Sequence, residues 1–153
     1  MKIILLGVAI MRITMVWLAT VVICLDIEAA QDNASKKALD GLQGTWKMVS
    51  SQVGGKTTEL SPTDQERRSW TFKGDELTLQ GLVVTVKLDP SKKPAHIDLV
   101  PHKGVGSGPG IYEHDGNSLK ICLAAKPGDA RPKTFEAPEE STVAFFILKR
   151  DKK

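Results

Sequence analysis

From Trp70 to Gln80 apolar and polar side chains trade places at every step, broken once by Gly74-Asp75. Trp70, Phe72, Leu77 and Leu79 fall on one side, and Thr71, Lys73, Glu76, Thr78 and Gln80 on the other. A period of two with a Gly-Asp turn in the middle predicts an antiparallel hairpin with one wet face. Similar short runs recur along the chain. Thr45–Ser50 opens the first strand; Leu82–Leu88 is closed by Asp89-Pro90 and Lys93-Pro94; Ala95–Val100 turns Ile97 and Leu99 inward. Ile111–His114 and Ser118–Leu123 flank Asp115-Gly116-Asn117, a turn whose Gly and Asn accept positive φ. Lys133–Ala137 and Thr142–Arg150 supply the last two strands. Eight or nine brief strands at regular spacing predict an all-β domain, a small antiparallel barrel or sandwich.

Helix signals are few. Residues 32–42, with Ala34, Lys36, Lys37, Ala38 and Leu39, predict a short helical turn ended by Gly41 and Gly44. Ser61-Pro62 followed by Thr63 to Arg68 predicts a second short helix, with Ser61 as cap and Pro62 in the first turn. The Gly- and Pro-rich stretches 104–110 and 126–132 predict loops.

The first thirty residues have another character. Residues 3–25 are apolar apart from Arg12 and a few small polar residues, and Asp26-Ile27-Glu28-Ala29-Ala30-Gln31 follows, the layout of a secretory signal cleaved after Ala29. Met11-Arg12 followed by residues 13–25 is itself a compact signal, so Met1 and Met11 both stand as starts. An uncleaved membrane anchor is the competing reading, because over twenty apolar residues can span a bilayer. The expected layout is a signal or anchor over 1–29, a linker or helical turn over 30–41 and the barrel over 42–150. One domain is all that roughly 120 remaining residues accommodate. Of the two cysteines only Cys122 lies outside the leader, so the domain forms no internal disulfide.

The formal charge of +3 is spread over Lys36-Lys37, Arg67-Arg68, Lys92-Lys93 and the Lys149–Lys153 end. A nucleic-acid surface would gather such charges on one stripe; scattered at turns and strand ends they predict a solvated surface.

Gly44-Thr45-Trp46, opening the first strand after a helical turn, resembles the Gly-x-Trp signature of lipocalins, in which the Trp plugs the barrel base. The resemblance implies a cation from the last strand across that indole, for which Arg150 or Lys149 is placed. Over a longer span the chain carries Leu42–Lys47, Phe72–Leu79, Lys87–Pro94, Ile97–Leu99, Gly110–Glu113, Leu119–Ala124 and Leu148–Arg150 in order. It resembles there an uncharacterised lipocalin-like domain family expanded in planctomycete bacteria. The resemblance implies a lipocalin-like barrel of about eight strands and a bacterial origin; it carries no activity or ligand, and the Gly104–Gly110 loop departs from it.

No chemistry stands out from spacing. His96, His102 and His114, with Asp98 or Glu113, match no recognised metal spacing. Cys122 points away from the core set Leu119, Ile121 and Leu123 and reads as an inert structural thiol. The 104–110 run leads into a strand where a phosphate cradle needs a helix. Ser50, Ser51, Asp98 and Glu113 could serve a hydrolase, yet nothing singles out a pair. Among the aromatics, Trp70, Phe72 and Tyr112 are the interior candidates for ligand contact, although a barrel this small can be filled by such side chains alone.

The expectation is therefore an exported, non-catalytic binding module without a cofactor, located in the periplasm or outside the cell. Its partner would be a small apolar molecule or a cell-envelope protein, with no nucleic acid, and with the membrane only if the leader stays attached. The alternatives are an interaction scaffold with a filled barrel, presenting loops 104–110 and 126–132, and a hydrolase of unknown substrate.

Overall fold

The computed structural model describes residues 30–102 and 108–152. Residues 1–29, expected to form a signal or anchor, and most of the Gly104–Gly110 loop lie outside the described residues. No helix among the described residues is long and apolar enough to cross a membrane.

Residues 30–42 form helix α1. It runs through Gly41, which the sequence marks as a stop. Ser35, Ala38, Leu39 and Leu42 recur at helical spacing on its covered side, and Leu42 is fully buried. That packing outweighs the roughly 1 kcal/mol a mid-helix glycine costs. The break comes at Gly44, whose φ of 106° suits glycine.

Nine strands follow: β1 (Gly44–Val53), β2 (Lys56–Glu59), β3 (Ser69–Lys73), β4 (Glu76–Leu79), β5 (Leu82–Asp89), β6 (Ala95–Pro101), β7 (Gly110–His114), β8 (Ser118–Ala124) and β9 (Val143–Arg150). From β3 onward each pairs antiparallel with the next, and β9 returns to β1, so eight strands close a barrel. Helix α2 (Pro62–Arg67) lies between β2 and β3, and Ser61 Oγ accepts a hydrogen bond from Asp64 N. Lys47 on β1 pairs with Glu66 of α2 and, at 3.1 Å, with Asp151; both carboxylates raise its pKa.

β1 serves three neighbours. Its first half pairs with β3, its second half with β2, and its other edge with β9 across a bulge between Met48 and Ser50. The added strand β2 has no signature in the sequence because all four of its residues are exposed, which leaves no burial alternation to detect.

Inside, the alternation holds. Trp46, Phe72, Leu77, Ile97, Leu119, Ile121 and Leu148 are all nearly or fully buried in one cluster, with Trp70, Val84, Val86, Leu99 and Tyr112 around them. Outside, one patch is also covered: Ile111 and Cys122, which face each other across β7–β8 on the outward side, are buried as completely as the core. Their cover is the chain between β8 and β9.

The expected strand Lys133–Ala137 falls in that cover and is not a strand; the segment bends without ladder pairing. Pro132 and Pro138 bracket it, and its backbone is engaged elsewhere: Ala137 N donates to Gln52 Oε1, and Ala137 O accepts from Gly55 N. The fully buried Ala137 and the Phe135–Phe145 contact, with ring centroids 6.1 Å apart, anchor it to the wall.

Candidate binding site

Helix α1 seals the barrel end where β1 begins and β9 finishes. Trp46 is fully buried there, its indole N–H donating to Leu42 O at 2.7 Å. Of the two expected cations it is Arg150 that covers it, with the guanidinium carbon 4.3 Å from the ring centroid. The same guanidinium donates to Gln43 O and Gly41 O, each at 2.6 Å, and to Gly116 O at 3.0 Å. It thereby satisfies carbonyls that the end of α1 leaves without helical partners. Gly44, the first residue of the signature, lies against Arg150.

Trp70, Phe72 and Tyr112 all turn inward and are buried, and Trp70 packs on Phe146 at 5.5 Å between centroids. Large side chains of the protein itself gather in the centre of the barrel, and Tyr112 also lines a cavity.

That cavity lies to one side of the plug. A pocket of about 370 Å³ opens between Ala38 of α1, the Lys92-Lys93-Pro94 connection before β6, the Tyr112–His114 end of β7, and Phe135. The local topology explains its position. β6 and β7 share three residue pairs, from Ala95↔Tyr112 to Ile97↔Gly110, so β7 runs on past the start of β6 beside a bent connection. At the far end of this short seam Gly110 faces inward, where a Cβ would meet the Leu123 side chain and come within 2.7 Å of Cys122 O. Arg131, from the irregular cover, spans the seam from outside: it donates to Ile97 O and Gly110 O and pairs with both oxygens of Asp98, at 2.9 and 3.2 Å.

The pocket has an apolar floor and a charged lip. Tyr112 is held neutral by burial and by the nearby Asp89 carboxylate, both raising its pKa. Asp89 accepts from Ser91 N and Oγ, which holds its pKa low, and sits 4.0 Å from Lys92 Nζ. Glu113 pairs with Lys120 at 3.2 Å. His114 packs edge-on against Trp46, and its Nε2 is buried without a hydrogen-bond partner in the structure.

The other sequence candidates are dispersed. His96 lies on the outer face of β6, where burial lowers its pKa; His102 bonds Thr85 Oγ1 at 3.0 Å just past β6; His114 is beside the plug. Asp98 and Glu113 stand four residue steps apart along the β6–β7 register, roughly 13 Å at the usual strand rise, and each is engaged by its own cation. Cys122 is sealed beneath the cover, its Sγ 3.6 Å from Glu136 O, and burial pushes its pKa up to about 11. A thiol so placed is a weak nucleophile.

Sequence reasoning missed the pocket, because Lys92-Lys93-Pro94 has the composition of an ordinary turn and Phe135 lies in the segment taken for a strand. Comparison of the chain with protein-family models, with curated proteins and with solved structures finds no match.

Proposed function

We propose that this chain is a non-catalytic, exported binding module of lipocalin-like type, and that it holds a small molecule in the pocket beside the plug, outside the barrel centre. The observation that carries the reading is a division of space: the centre is occupied by the chain's own aromatic and aliphatic side chains, while about 370 Å³ lies between α1, β7 and the cover. That volume is at the small end of the range typical of ligand sites. The layout of the first thirty residues and the resemblance of the mature chain support export and a bacterial envelope setting.

The test is amide chemical-shift mapping by NMR during titration with N-phenyl-1-naphthylamine, a neutral apolar probe. Shifts at Ala38, Ala95 and Tyr112 are expected. Shifts confined to Val84 and Leu99, or none at all, would overturn the reading. Intact mass of the protein from its own envelope checks removal of residues 1–29.

A second reading, an interaction scaffold, is favoured by the filled interior together with Val53, Leu82 and Val100. These are exposed apolar residues at strand positions remote from α1. It predicts that binding of an envelope protein perturbs those three and leaves the pocket silent.

A further inference from the structure

We propose that the pocket selects a monoanion with an apolar body, and that Lys93 is the cation that recognises its charge; this rests on the pocket being the binding site argued above. The floor supplies the apolar half of the recognition. Ala38, Pro94, Ala95 and the Tyr112 and Phe135 rings offer carbon surface of the size of one or two rings. The charged half follows from which groups at the lip are already engaged.

Asp89 is held by two hydrogen bonds from Ser91 and by Lys92. Glu113 is held by Lys120. Lys93 lines the pocket, is exposed, and forms no ion pair among the described residues. The lip thus carries one cation not matched by a carboxylate, beside a largely apolar surface. A neutral molecule gains nothing from Lys93, a cation is repelled by it, and a dianion brings one charge more than it neutralises. A ring or short chain with a single carboxylate or sulfonate satisfies both halves at once.

The experiment compares 8-anilinonaphthalene-1-sulfonate with N-phenyl-1-naphthylamine, two fluorescent probes with one aromatic body that differ by the sulfonate. Titrated into the purified protein, the sulfonate should bind about five- to tenfold tighter, a preference that shrinks as salt screens the contact. Lys93→Gln should remove most of that preference and leave the neutral probe unchanged. Lys56→Gln, on the remote β2, should alter neither. Equal affinity for the two probes with shifts at Ala38, Ala95 and Tyr112, or an undiminished preference in Lys93→Gln, overturns the anion assignment while the pocket stands as the site. Absence of those shifts with both probes overturns the pocket reading itself, and this proposal with it.

Discussion

Two arginines do similar work at two places in the barrel. Arg150 closes the plugged end, where it lies over Trp46 and donates to carbonyls of α1 and of the β7–β8 turn. Arg131 closes the short β6–β7 seam, where it donates to a carbonyl from each strand and pairs with Asp98. In both, a planar fork of donors reaches backbone oxygens of two separate segments of the chain. The surroundings differ. Arg150 sits at the end of a ladder seven residues long between β1 and β9, whereas Arg131 reinforces a ladder of three. Where strands pair at length the side chain completes an existing seal; where they do not, it braces one end of a short ladder whose other end borders the pocket.

The harshest way to break the comparison is to wedge the seam open. Gly110→Val places carbon where Leu123 and Cys122 O already stand, and a loss of about 3 kcal/mol or more is expected in urea unfolding. Arg150→Met should cost about 2–3 kcal/mol by the same measurement, because several carbonyls lose a charged donor together. Next in size is the cover over the outer wall, which Cys122 reports. Its thiol keeps its proton in the folded state up to about pH 11, whereas the unfolded chain gives it up near the ordinary value of 9. Stability from this group is therefore complete below pH 9 and is lost as pH rises toward 11, by roughly 2 kcal/mol at the upper end. Unfolding curves of the protein and Cys122→Ala should converge over that window; parallel curves would show the cover to be open in solution. Arg131→Met should cost about 1–2 kcal/mol, since its side chain is partly exposed, and hydrogen exchange should quicken at β6–β7 while β1–β9 stays protected. Exchange that rises equally in both ladders would remove the distinction drawn here. The smallest effect expected is from His114→Phe, within about 1 kcal/mol of neutral, because it replaces a buried unpartnered nitrogen with carbon against Trp46.

The same pair shows what a sequence reveals. Arg150 was foreseeable: it follows an alternating strand and answers a tryptophan preceded by glycine, so period and motif both point to it. The eight barrel strands were legible for a related reason, since Ile97, Leu99, Leu119 and Ile121 are buried and their neighbours are mostly less so. Arg131 was not foreseeable. It stands between Ala130 and Pro132 in a stretch without period, and its partners lie 21 and 34 positions away in chain order. The outer cover misled in the opposite sense: Phe135 and Ala137 are apolar because they bury Cys122 and the back of β9, and apolar residues two apart suggest a strand whichever wall they cover. The pocket depends on how α1, a turn and β7 meet, and no local signal encodes that meeting.

Gln43 and Arg150, joined by a hydrogen bond, are separated by 107 positions. Closure therefore waits for the last strand: until β9 leaves the ribosome, β1 and β8 are open edges able to recruit another chain. With so many distant pairings, folding is expected on the millisecond-to-second scale, a rate that stopped-flow fluorescence of Trp46 and Trp70 would time. Export before folding would postpone that closure until the chain has crossed the membrane, and would leave both edges uncovered for the interval.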